Sequence, residues 1–341
     1  MKSALLAAML ALAAATPVLA EETCGPLKGV ASLPLIPDRA GLRAAVEVSI
    51  NGQESLMLLD TGAFATSVTP KIADELKLPR SRSGMEIRDV LGNDSNEIAR
   101  IEQLGVGRLT AGNAWVYVLP DAQESQYEAH STSSASLPTS LAGIFGSDFL
   151  RPYDLDLDFA ANKMHLISKD HCDGKVIYWR PEVYAIVPFE LNKSGGILFS
   201  MMLDGTEISV LLDTGASGSF MRADVARRLF HLEGPAQGEA VQTPVLNNEN
   251  VEGLFVHRFD TLATDGFAIQ HPLVAIYPDV ESSRIGAEQA WYDKQFGTRE
   301  PDLILGMREL RQLHVYIAYG EHKLYLSPAG PPPANETPAS H

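Results

Sequence analysis

Ser49 to Ala63 reads S-I-N-G-Q-E-S-L-M-L-L-D-T-G-A, and Met202 to Ala216 reads M-L-D-G-T-E-I-S-V-L-L-D-T-G-A. The two stretches align without a gap, Gly52 on Gly205 and Asp60 on Asp213, each pair 153 residues apart. In each copy an apolar run meets a polar turn, Asn51-Gly52 or Asp204-Gly205, and a second apolar run leads into D-T-G-A. Asn-Gly and Asp-Gly between apolar runs are the strongest short-range hairpin signals, because the tightest hairpin turn needs positive φ at both central residues. Each stretch therefore predicts a β-hairpin whose second strand runs into an Asp-Thr-Gly-Ala turn.

The correspondence continues downstream. Pro70 to Leu78 carries Ile72, Ala73 and Leu76 at helical spacing, and Arg222 to Leu232 carries Val225, Ala226 and Leu229 at the same offset. V-L-G-N-D at Val90 to Asp94 is echoed by V-L-N-N-E at Val245 to Glu249. Ile144-Phe145-Gly146 matches Ile304-Leu305-Gly306, and Lys163-Met164 matches Lys323-Leu324, both at an offset of 160. Self-similarity of this length marks a tandem duplication. Strand-like runs and turns dominate both copies and helices are short, so the expected fold is all-β with two pseudo-equivalent lobes. The expected plan is a first lobe over 21–168, a linker over 169–186, a second lobe over 187–328 and a disordered Pro-rich tail over 329–341. Glu124 to Ser140 and Val280 to Glu300 read as surface insertions.

Composition agrees with two cores. Of 341 residues, 45% are hydrophobic and 21% charged, which excludes global disorder. With 43 acids against 27 bases the net charge is −16, a field that repels nucleic acid and favours neutral or basic partners. Met1 to Ala20 reads as a secretory signal peptide, basic at Lys2, apolar from Ala4 to Ala15, with Val18 and Ala20 at the cleavage positions. The apolar run is shorter than the roughly 18 residues of a spanning helix. A periplasmic or secreted protein with no stable membrane insertion after cleavage is therefore expected.

An oxidising compartment makes a bridge between the two cysteines, Cys24 and Cys172, the default expectation, with two free thiols as the alternative. The nine histidines include no H-E-x-x-H pair, and His165, His171 and Cys172 cluster only loosely, so no metal site is expected. Asp154, Asp156 and Asp158 alternate with Leu155, Leu157 and Phe159. That is a strand with one acidic and one apolar face rather than a calcium loop, which spaces its oxygens over a tight turn.

An apolar-apolar-D-T-G-A element followed by apolar-apolar-Gly, twice in one chain, resembles the aspartic proteases over roughly Leu33 to Ile167 and Val187 to Leu326. The resemblance implies two acid-protease lobes of the closed β-barrel type, related by a pseudo-twofold axis that brings Asp60 and Asp213 together. Two carboxylates about 3 Å apart cannot both ionise, so they share one proton. The implied activity is an aspartic endopeptidase acting through an activated water, with no cofactor, on a peptide or protein substrate, by a monomer. A non-catalytic peptide-binding protein that keeps the fold is the alternative.

The resemblance also implies roles for the neighbours. Gly62 and Gly215 let backbone N–H groups point at the carboxylates, Thr61 and Thr214 bond across the lobe interface, and Gly146 and Gly306 pass behind the catalytic loops where bulk would clash. Ala63 and Ala216 stand where pepsin-like enzymes usually have Ser or Thr, which matches the retroviral type. Neither Met85 to Glu97 nor Gln242 to Glu252 holds the tyrosine of a pepsin flap. Each half is expected to keep its own flap, with Val90, Leu91, Gly92, Val245, Leu246 and Asn247 as candidates. Phe64 is a candidate for the cleft lining. Core packing is the plain alternative for Phe64 and the apolar flap candidates.

Overall fold

The computed structural model of the chain describes residues 24–37, 41–88, 94–120, 141–237, 253–278 and 301–330. The leader, the two insertions, all six flap candidates and the Pro-rich segment from 331 onward lie outside the described residues.

The quoted stretches fold as the turn chemistry dictates. β3 (Ala44–Ile50) and β4 (Gln53–Leu59) pair up to Ile50↔Gln53 around Asn51 at φ 51° and Gly52 at φ 86°. In the second copy β13 (Ile197–Leu203) and β14 (Thr206–Leu212) pair up to Leu203↔Thr206 around Asp204 at φ 46° and Gly205 at φ 79°. Positive φ at both central residues is the type I′ geometry that matches strand twist.

Each hairpin is built into a ring of six strand positions. In lobe one, β4 lies parallel to β9 (Gly143–Phe145), which pairs with β5 (Ser67–Val68). β5 lies parallel to β8 (Leu109–Val118), β8 pairs with β7 (Asp94–Val106), and β7 returns to β3 at Ser49↔Gly105, closing the barrel. β6 (Arg80–Arg88) pairs with β7 on its outer side. In lobe two, β14 lies parallel to β20 (Leu303–Leu305), and β15 (Ser219–Arg222) joins β20 to β19 (Leu273–Tyr277). β16 (Phe255–Arg258) pairs with β19, and β17 (Thr261–Thr264) pairs with both β18 (Phe267–Gln270) and β13. Here the equivalents of β7 and β8 are each broken in two. Pro272 accounts for the second break, since it has no N–H to give a ladder. Two helices fall in the segments with helical spacing, α1 (Pro70–Glu75), with Pro70 at its start and Thr69 as its N-cap, and α3 (Ala223–Phe230); α2 (Ser147–Leu150) and α4 (Met307–Leu310) follow Gly146 and Gly306.

The lobes join in one antiparallel sheet, ordered β1 (Gly29–Pro34), β11 (Lys163–Ile167), β10 (Asp154–Asp158), β21 (Leu313–Ala318), β22 (Lys323–Pro328), β12 (Ala185–Leu191). At its centre β10 of lobe one pairs with β21 of lobe two, Leu155↔Ile317 through Asp158↔His314. Leu155, Leu157, Val315 and Ile317 face the main core. The opposite face, which carries Asp154 and Asp156, is buried and not exposed to water. The segment after β11 crosses it, packing Val176, Ile177 and Trp179 on Tyr316, Ala318 and Tyr325. Cys24 and Cys172 are disulfide-bonded, which fixes this segment to the irregular stretch that leads into β1.

Candidate active site

β4 and β14 deliver the two D-T-G-A turns to one place. The Asp60 N–H donates to the Phe145 carbonyl at 3.1 Å, and the Asp213 N–H to the Leu305 carbonyl at 3.1 Å, so each turn leaves its strand pinned to the parallel neighbour. Each turn closes at its far end, where Ala63 O accepts from Ser147 N–H at 3.0 Å and Ala216 O from Met307 N–H at 2.8 Å.

The carboxyls are held from below by backbone. Asp60 Oδ1 accepts from Gly62 N–H at 2.9 Å and Ala63 N–H at 2.8 Å; Asp213 Oδ1 accepts from Gly215 N–H at 2.8 Å and Ala216 N–H at 3.1 Å. The two carboxyls face each other across the lobe boundary, each packed on the other lobe's glycine. The glycines are required by a contact the sequence did not show. A Cβ on Gly62 would stand 2.6 Å from Asp213 Cγ, and one on Gly215 would stand 2.2 Å from Asp60 Oδ2. Each glycine makes room for the other lobe's carboxyl.

Thr61 and Thr214 are fully buried and reciprocal. Thr61 Oγ1 donates to Leu212 O at 3.0 Å and accepts from Thr214 N–H at 3.1 Å; Thr214 Oγ1 donates to Leu59 O at 2.9 Å and accepts from Thr61 N–H at 3.0 Å. Four hydrogen bonds thus lock one loop to the other, satisfying both hydroxyls in a dry interface where an unpaired polar group would cost about 1–3 kcal/mol.

Electrostatics follow from this enclosure. Burial, the negative charge of Asp213 and the hydrogen bond to it push the Asp60 carboxyl well above the ordinary aspartate range, against the lowering effect of the two N–H donors. Burial also raises Asp213, while its N–H donors and the bond from Asp60 pull the other way. Two carboxyls in contact therefore hold a proton to higher pH than either would alone.

Gly146 and Gly306 lie against the backbone that follows each loop. A Cβ on Gly146 would lie 2.7 Å from Ala65 C, and one on Gly306 2.2 Å from Gly218 O. Gly143 is equally crowded, 1.9 Å from Ser67 O, and only the pairing of β5 with β9 reveals it. Phe64 contributes its carbonyl to the Ser147 hydroxyl at 3.2 Å. In lobe one β6 and β7 pair as far as Arg88↔Asp94, on either side of the flap candidates. Sequence reasoning missed Thr66 with Asp148 and Ser219 with Glu309, two hydroxyl–carboxyl pairs beside the loops, the first part-buried and the second buried. Among the described residues no group of three or more His, Cys, Asp or Glu is arranged to hold a metal ion.

Residues 46–151 match the family model described as "gag-polyprotein putative aspartyl protease", and residues 199–308 match the model described as "Aspartyl protease". No curated protein matches the chain. Solved structures similar to it include basic 7S globulin from soybean, at 10% identity and TM-score 0.49 over 89% of this chain and 95% of that one. Aspartic proteinase from Irpex lacteus is similar at 13% identity and TM-score 0.49, over 89% of this chain and 98% of that one.

Proposed function

We propose, from a chain that is two retropepsin-like aspartyl-protease lobes in tandem, that it hydrolyses peptide bonds as an endopeptidase. The observation that carries the reading is the pair of carboxyls, one from each lobe, each packed against the other lobe's loop and held on one oxygen by two backbone N–H groups. The ionised member takes a proton from a water held between them, and that water attacks the scissile carbonyl. The protonated member of the pair donates to the carbonyl oxygen. Collapse of the tetrahedral intermediate breaks the C–N bond as a proton passes from the dyad to the leaving nitrogen. The backbone donors are already aimed, so the ionised form is stabilised without reorganisation.

The substrate in this reading is a peptide or protein, the chain acts as a monomer because both carboxyls lie in it, and its place is the periplasm or the extracellular space. The leader sequence and the disulfide support that location. Incubating the disulfide-bonded protein with a denatured mixed proteome and reading new termini by mass spectrometry tests the activity. The reading predicts cleavage that a statine-type inhibitor abolishes. No new termini from folded protein across pH 3–8 would overturn it and leave a binding module.

A further inference from the structure

Behind each catalytic loop lies a carboxyl that the chemistry above does not use, half-buried in lobe one and buried in lobe two. In lobe one, Asp148 accepts three hydrogen bonds at a single oxygen, Oδ1: from Thr66 N–H at 2.8 Å, from the Thr66 hydroxyl at 2.7 Å and from Phe149 N–H at 3.0 Å. Thr66 Oγ1 in turn accepts from Gly146 N–H at 2.9 Å. In lobe two, Glu309 accepts from the Ser219 hydroxyl at Oε2 and from Leu273 N–H at Oε1, 3.4 Å away. Ser219 Oγ accepts from Gly306 N–H at 3.1 Å. The same chain of carboxyl, hydroxyl and glycine N–H therefore stands in both lobes.

The hydroxyls are related by the repeat, Thr66 and Ser219 being 153 residues apart like the catalytic pair, but the carboxyls are not. At the local offset of 160, Asp148 falls opposite Arg308. Glu309 sits one residue later along its helical turn, and its additional methylene supplies the reach. Two residue types at inequivalent positions thus make one connection, which points to the connection itself as what the site needs.

We infer that Asp148 and Glu309 are positioning residues for the proposed reaction, fixing through Thr66 and Ser219 the glycine turns against which the two catalytic loops are held. The route is short. Gly146 N–H is anchored by Thr66, the next N–H, of Ser147, holds Ala63 O, and Ala63 N–H holds Asp60 Oδ1. In lobe two Gly306, Met307, Ala216 and Asp213 repeat it. Burial raises both carboxyls above their usual range, so the hydrogen bonds they accept matter more than their charge. An acceptor of the same shape at position 148 should therefore serve as well as the acid.

This inference rests on the protease reading, so its test includes a readout that needs no turnover. In full-length, disulfide-bonded protein, the titration of the Asp60 and Asp213 carboxyls is followed by carbon NMR, and kcat and KM are measured alongside. Loosening the loop weakens the N–H donors that lower the pKa of Asp60, so Asp148→Ala should move the dyad titration and the acid limb of kcat upward in pH. It should lower kcat about tenfold or more while KM stays within about twofold. Asp148→Asn, which keeps Oδ1 as acceptor, should restore both. Thr66→Val, which removes only the hydroxyl, and Ser219→Ala should reproduce the upward shift if Asp148→Ala does not fold. A folded Asp148→Ala or Thr66→Val protein with an unmoved dyad titration would overturn the inference, as would an Asp148→Asn protein as impaired as the alanine variant. A dyad titration shifted in these variants, together with a wild type that cleaves nothing, would instead count against the protease reading alone.

Discussion

A charge on Asp60 is disfavoured, since the carboxyl is enclosed between two loops and faces Asp213. For an acid whose folded pKa lies above its unfolded value of about 3.9, the folded state binds more protons in between, so stability falls as pH rises through that window. Asp60→Asn removes the penalty, and its Oδ1 can still accept from Gly62 and Ala63. Thermal melts from pH 3 to 8 should show the variant more stable than wild type at neutral pH, with the gap closing in acid; a gap independent of pH would contradict the burial argument. The D-T-G-A residues were legible in the sequence as a motif that occurs twice, and so was the glycine after each apolar pair, although the contact that requires Gly62 and Gly215 shows only in the fold. Asp148 and Glu309 were not, because their positions differ by one residue between the copies and only the folded hydroxyls show that they do the same thing.

Among the elements, the hairpins were the most legible, since Asn51-Gly52 and Asp204-Gly205 specify their own turn geometry. The segment crossing the interlobe sheet was the least. Alternation in Asp154 to Phe159 showed that β10 has an acidic face, but a period of two cannot say what covers it. Asp154 and Asp156 are both fully buried there, Asp154 bonded to His171 Nε2 at 2.7 Å and Asp156 to His314 Nε2 at 2.5 Å and to the Tyr178 hydroxyl. Trp179 stacks on His314 with ring centres 4.1 Å apart. Burial disfavours a charged His171, but the hydrogen bonds to Asp154 and the Cys172 carbonyl outweigh it and hold the imidazole above its usual pKa. A raised histidine contributes stability that is complete below the unfolded value of about 6.5 and is lost as pH rises through the folded value. His171→Gln should therefore cost more in melting temperature near pH 5.5 than near pH 8.5. An equal cost at both would show that the ion pair does not hold this segment down.

At the scale of the whole molecule, the two halves are interlocked as well as duplicated. The threonine bonds cross the lobe boundary, β10 pairs with β21 across it, and Arg151 of lobe one packs on the Gly195 turn of lobe two while Arg311 of lobe two packs on the Gly41 turn of lobe one. Both glycines have positive φ, and a Cβ on either would come within 2.9 Å of the guanidinium. The repeat revealed two lobes, but the sheet that joins them depends on pairings more than 150 residues apart, which no local period encodes. In the proposed function Asp60 and Asp213 form one catalytic unit across this boundary. The most direct measurement of this is kcat/KM for Asp60→Asn, Asp213→Asn and the double variant, each shown to be folded. Residues that act as a unit are non-additive, so each single change should remove activity by about a thousandfold or more and the double should fall no further. Activity retained in either single variant, or losses that multiply in the double, would contradict it.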